Sequence, residues 1–97
     1  MMTSKTLVQL FNALSDDTRL KIILVLSKHE AHASCQMLRK QFNLSQPAMS
    51  HHFRILKESK LVNMRKVGRH VYYSLNWEKL GQVEKFMQDL KMMERGR

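Results

Sequence analysis

The sequence predicts a mainly α-helical domain that carries a two-stranded β wing, in the order α-α-α-α-β-β-α. Three observations predict it. Apolar residues recur at helical spacing in the first sixty positions and again in the last twenty. Between these blocks, "LVNMRKVGRHVYYSLN" is rich in β-branched and aromatic residues around a single Gly68. Glycine occurs three times and proline once, so the elements must follow one another closely, as one domain over residues 1–97.

The first helix is read from Leu7, Leu10, Phe11 and Leu14, spaced i, i+3, i+4, i+7. "SDDTRLKIILVLSKH" follows. Ser15 is the expected N-cap, with Asp16 and Asp17 where the helix dipole favours anions. Leu20, Ile23, Leu24 and Ser27 are expected to line one face, widened by Ile22, Val25 and Leu26, so this helix is placed at the centre. Lys28 and His29 are expected in its last turn. Ser34 caps a short third helix that turns Cys35, Leu38 and Phe42 inward. "NLS" at residues 43–45 breaks it. Ser45 then caps a fourth helix, with Pro47 in its first turn, where a missing N–H costs nothing. It is expected to run to about Lys60. The hairpin turns at Gly68, and Val71, Tyr73 and Leu75 form its packed face. In the last helix Leu80, Val83, Met87 and Leu90 make a seam suited to another helix, widened by Trp77, Phe86 and Met93.

Charge gives the first functional signal. Lys and Arg number 17 against 8 Asp and Glu. Most of the excess falls between Ala33 and Leu75, where Arg39, Lys40, Arg54, Lys57, Lys60, Arg65, Lys66 and Arg69 meet only Glu58. A basic surface of this kind points to a polyanion, most often nucleic acid.

Helix, short break, helix and basic hairpin is the order of a winged helix-turn-helix. At about 100° per residue, Met49, His52, Phe53 and Leu56 of the fourth helix fall on one stripe. Gln46, Pro47, Ser50, His51, Arg54 and Lys57 fall on the other side. Gln46, Ser50 and His51, near the N-terminal end, are expected to read base edges, Gln being able to pair twice with adenine. Ser45, Arg54 and Lys57, with Arg65, Lys66 and Arg69 of the wing, are expected at phosphates or in a groove.

The stretches "FNALSDDTRLKIILVL", "LSQPAMSHHFRILKESKLV" and "RKVGRHVYYSLN" together resemble the ArsR/SmtB family of bacterial repressors, from about residue 7 to residue 90. The resemblance implies a homodimer joined through the first and last helices, with Leu7, Leu10, Phe11, Leu80, Val83, Met87 and Leu90 at its interface. It implies repression of a near-palindromic double-stranded DNA operator, released by a metal or another signal. It also matches Gln46, Ser50 and His51 to base-reading positions, and Arg54, Lys57 and Arg69 to phosphate or groove contacts.

The family's familiar metal ligands are not in place. Aligned through "SQP", a Cys-x-Cys pair would fall on Ser34 and Gln36, and Cys35 lies between them. The last helix has Glu78, Glu84, Asp89 and Glu94 but no His. No cofactor or metal is therefore expected, and the inducer is unnamed. One alternative is a non-standard metal site from His29, His32 and Cys35, which would still need a fourth ligand for tetrahedral zinc. Another is a winged-helix protein-interaction module, though that would want an apolar patch where the fourth helix is basic. Sensing through two cysteines of one protomer is excluded, because Cys35 is alone. An enzyme is not expected: no nucleophile–base pair, phosphate loop or paired carboxylate is legible. The short N-terminus lacks a signal-peptide core and no apolar run reaches membrane length, so a cytoplasmic location is expected.

Overall fold

A computed structural model of the chain describes residues 3–28 and 33–95. The described residues form five helices and three short strands in the order α1 (Ser4–Leu14), α2 (Asp17–Ser27), β1 (Ala33–Ser34), α3 (Cys35–Phe42), α4 (Gln46–Glu58), β2 (Val62–Val67), β3 (His70–Leu75) and α5 (Trp77–Arg95). The strands form one antiparallel sheet in the order β1-β3-β2.

The helix boundaries follow from side-chain caps. Thr3, Ser34 and Ser45 each accept the backbone N–H three residues on, which satisfies one of the free donors at the starts of α1, α3 and α4. The α2 cap differs from the sequence expectation. Asp16, not Ser15, accepts the Arg19 N–H, at 3.0 Å. Ser15 instead closes α1, its hydroxyl donating to the Asn12 carbonyl at 2.7 Å. Asn43 ends α3 in the left-handed conformation, φ 51°, which Asn tolerates better than most residues. Helix α4 stops at Glu58, two residues short of the expected end, because Lys60 also turns left-handed, φ 64°.

The core gathers one face of each element. Leu10, Ile22, Leu38, Leu56 and Leu61 are fully buried, each contributing about 1.5–3 kcal/mol of apolar transfer. Phe53 of α4 stacks on Tyr73 of β3, with ring centroids 3.8 Å apart, which fastens the helix to the wing's root. Asn76 bonds back across the corner between α4 and β2: its Nδ2 donates to the Lys60 carbonyl and its N–H to the Leu61 carbonyl, both at 2.8 Å. Its Oδ1 accepts the Lys79 N–H, so the same residue caps α5.

Two expectations about faces are corrected. In α2 the buried side is Arg19, Ile22, Ile23 and Leu26, while Leu20 and Leu24 face outward. Leu10, expected at a dimer surface, has no exposed area and lies in the protomer core. Helix α1 packs on α2, and Leu10 belongs to the same core cluster as Ile22, Ile23 and Leu26. The wing also has more support than a hairpin alone. Ala33 and Ser34 pair with Tyr73 and Tyr72, adding a strand that a two-residue segment has no period to announce.

Candidate nucleic-acid interface

The turn between α3 and α4 sets the exposed edge of the domain. The N–H groups of Asn43 and Leu44 both reach the Arg39 carbonyl, Leu44 at 3.1 Å, so the chain reverses within three residues. Ser45 then starts α4. Its oxygen accepts the Ala48 N–H, and its own hydroxyl proton is left to donate outward.

The stripe expected to face inward does so. Met49, Phe53 and Leu56 are buried, and His52 is half-buried. Gln46, Pro47, Ser50, His51, Arg54 and Lys57 are all exposed. Ser50, Arg54 and Lys57 also line a surface cavity of about 350 Å³ between α4 and the wing, floored by Phe53 and Tyr73. His51 and Arg54 lie together, Nδ1 and Nη2 being 3.4 Å apart.

The wing is a tight hairpin. Val67 pairs with His70, so the loop is Gly68 and Arg69 alone. Only Gly68 has positive φ, 61°, the pattern of a type II′ turn that matches strand twist. Arg65, Lys66 and Arg69 are exposed along its length and tip. Tyr73, at its root, is buried, and burial together with the Cys35 thiol beside it pushes its hydroxyl up to about 12. It is a neutral packing residue.

Behind α4 lies a polar junction that sequence reasoning missed. Arg19 is 7% exposed. Its Nε donates to the Ala13 carbonyl at 2.9 Å and its Nη2 to the Asn12 carbonyl at 3.1 Å, so a side chain of α2 caps the end of α1. Its Nη1 lies 3.4 Å from His52 Nδ1. Arginine can only donate, so Nδ1 is the acceptor and the neutral ring carries its proton on Nε2. Asp16 Oδ2 is 3.7 Å from the same nitrogen. Burial holds the His52 pKa below its ordinary value; the charges of Arg19 and His51 add to this, and Asp16 opposes it. Asp16 itself is held low, first by the Arg19 N–H it accepts. A lone Arg in an amphipathic helix ordinarily signals solvent, so nothing in the sequence marks this one as buried.

The residues expected at a dimer interface are divided. Leu7, Phe11, Leu80 and Val83 are half-buried, while Met87 and Leu90 are exposed, 45% and 47%. Phe86 packs edge-on against Phe11, centroids 5.9 Å apart, which seats α5 on α1. His29 and His32 lie outside the described residues, and with them the expected His29, His32 and Cys35 trio. Cys35 is half-buried at the start of α3. Among the described residues, no three His, Cys, Asp or Glu side chains converge as a metal site would require. No helix among them is long and apolar enough to cross a membrane.

A protruding, outward-polar helix beside a basic hairpin defines a winged helix-turn-helix domain. Comparison with known proteins agrees: a helix-turn-helix domain family matches residues 14–65. The arsenical resistance operon repressor of Staphylococcus xylosus is 36% identical over 95 residues, covering 98% of this chain and 89% of that one. The transcriptional repressor SdpR of Bacillus subtilis is 39% identical over 66 residues, 68% of this chain and 71% of that one. The crystal structure of an ArsR family transcriptional regulator superposes with a TM-score of 0.89 at 25% identity, covering 99% of this chain and 97% of that one. The chain belongs to the ArsR/SmtB family of winged helix-turn-helix transcriptional regulators and is a DNA-binding regulator.

Proposed function

We propose that the protein is a homodimeric repressor that places α4 of each protomer in successive major grooves of a near-palindromic operator, about 34 Å apart. The observation that carries this is the outer face of α4: Gln46, Ser50, His51, Arg54 and Lys57 are all exposed there, flanked by the basic wing. Gln46, Ser50 and His51 contact base edges. Ser45, Arg54 and Lys57, with Arg65, Lys66 and Arg69, hold phosphates or the neighbouring groove.

Dimerisation is supported by where apolar surface remains. Met87, Leu90 and Met93 are exposed on one side of the outer half of α5. A monomer gains nothing from such a stripe, and a second copy covers it by helix-on-helix packing. Leu7 and Phe11 of α1 border the same surface, and Leu10 supports it from within. The outer face of α4 is apolar only at Pro47, which disfavours a protein-interaction role for that helix. The reading includes no resident metal, no catalysis and a cytoplasmic location, where operator DNA is found.

Selection of bound sequences from a random DNA pool tests the proposal. It should return a two-fold symmetric site, bound with steep salt dependence. Five Lys or Arg phosphate contacts per protomer set an upper slope near −9 in log affinity against log salt. Replacing Gln46 and Ser50 by Ala should relax the base preference. Unchanged preference would show that another face reads the DNA.

A further inference from the structure

We propose that Arg39 is a positioning residue that sets which bases Gln46 selects, turning Gln46 into a hydrogen-bond donor. The inference rests on the reading that the start of α4 faces base edges. Arg39 lies on α3 and folds over the turn. Its Nε donates to the Leu44 carbonyl at 3.2 Å, and its Nη1 donates to Gln46 Oε1 at 2.8 Å. Its own backbone carbonyl receives the Leu44 N–H, so guanidinium and turn hold each other in place.

The chemistry fixes the sense of the amide. A guanidinium has five donors and no acceptor, so Gln46 must turn its oxygen toward it. The NH2 group is then the part left for DNA. A bond from a cation also draws electron density toward Oε1, which strengthens the N–H donors and weakens the oxygen as an acceptor for anything else. A free glutamine suits adenine, taking N6–H on oxygen while giving N–H to N7. With Arg39 in place one of the two lone pairs of Oε1 is taken and the amide is held with its NH2 turned away from the guanidinium, so the acceptor half of that pairing is disfavoured. Gln46 therefore favours edges that accept: guanine, through N7 and O6, and thymine, through O4. Cytosine, which offers only its N4 donor in the major groove, is selected against. On this proposal the pairing differs from the simple Gln–adenine expectation. The residue responsible lies seven positions earlier and carries no sequence mark of the role.

The full-length protein is tested by selection from random DNA with four variants: wild type, Gln46→Ala, Arg39→Ala and Gln46→Glu. The wild type should show one position per half-site with guanine or thymine favoured. Gln46→Ala should flatten that position alone, which identifies it. Arg39→Ala should admit adenine there, changing the guanine-to-adenine ratio by roughly fivefold or more and leaving the other positions intact. Gln46→Glu keeps the Arg39 contact but presents only acceptors, so it should move the preference to cytosine or adenine. Far-UV circular dichroism checks that each variant folds. If Arg39→Ala lowers affinity equally for all sequences, Arg39 is a phosphate contact and the proposal is wrong. If Arg39→Ala leaves the Gln46 position unchanged while Gln46→Ala flattens it, orientation by Arg39 is refuted and base reading by Gln46 stands. If Gln46→Ala alters no position, the underlying placement of α4 fails as well.

Discussion

Replacing Arg19 by Met should destabilise the protein by about 2–3 kcal/mol, and the reason can be followed bond by bond. Methionine keeps the apolar stem and roughly the volume, so packing changes little. Both carbonyl bonds at the end of α1 are lost, and the half-buried His52 Nδ1, a long 3.4 Å from Nη1, loses its donor as well. A hydrogen bond from a charged donor is worth about 1.5–3 kcal/mol, but the two do not count equally. The Asn12 carbonyl keeps two other donors, the Ser15 N–H at 3.2 Å and the Ser15 hydroxyl at 2.7 Å. Among the described residues, the Ala13 carbonyl has only Arg19 Nε outside helical bonding, and Ala13 is completely buried. That single orphaned acceptor carries most of the loss. The cation's favourable place at the negative end of α1 adds up to about 1 kcal/mol, and because only one acceptor is orphaned the sum is about 2–3 kcal/mol, at or below the bottom of the range for two full charged bonds. For a domain of this size the change in Tm is about 10–20 °C. Thermal unfolding followed by circular dichroism, at one fixed protein concentration, measures it. Arg19→Lys, whose ammonium reaches one carbonyl, should lose about half as much. An Arg19→Met protein within about 0.5 kcal/mol of wild type would refute the capping argument.

Three other outcomes follow from the same structure. His52 has a folded pKa below its ordinary 6.5, so the unfolded chain binds the proton more tightly. The stability this gives is fully present above pH 6.5 and is lost as pH falls below it; urea midpoints at pH 7.5 and 5.0 should separate more for wild type than for His52→Gln, and equal separations would contradict it. Lys60 carries a left-handed backbone that costs a side-chain-bearing residue about 1 kcal/mol. Lys60→Gly should therefore stabilise by about 0.5 kcal/mol after the greater freedom of glycine in the unfolded chain is counted, and a lower urea midpoint would show the turn is not strained. Joint replacement of Met87 and Leu90 by Glu should yield a folded monomer in sedimentation, with operator affinity reduced at least tenfold; a persistent dimer would place the interface elsewhere.

Much of the architecture was legible because it is local. Caps such as Ser34 and Ser45 act over three residues, and the inward stripe of Met49, Phe53 and Leu56 is a matter of helical period alone. The exposed face of α4 follows by subtraction, and Gly68 marks the wing's turn. Sequence and structure part where two neighbouring residues compete for one role. Ser15 and Asp16 are both good caps, and which one starts α2 depends on where Arg19 places its backbone. The buried face of α2 differs from the expected one for a related reason: an apolar helix with Leu20, Ile22, Ile23, Leu24, Val25 and Leu26 offers several possible inward stripes.

Composition and spacing alone thus determined a basic, helical, winged domain and the side of α4 that stays exposed, because periodicity and capping need no distant partner. Tertiary structure decided what requires two segments to meet. It buried Arg19 against the end of α1 and beside His52, added Ala33 and Ser34 as a third strand, and took Leu10 from the surface into the core. It also set Arg39 against Gln46 across the turn. A hydrogen bond between side chains on different helices depends on how those helices cross, and that angle comes from packing of the whole core.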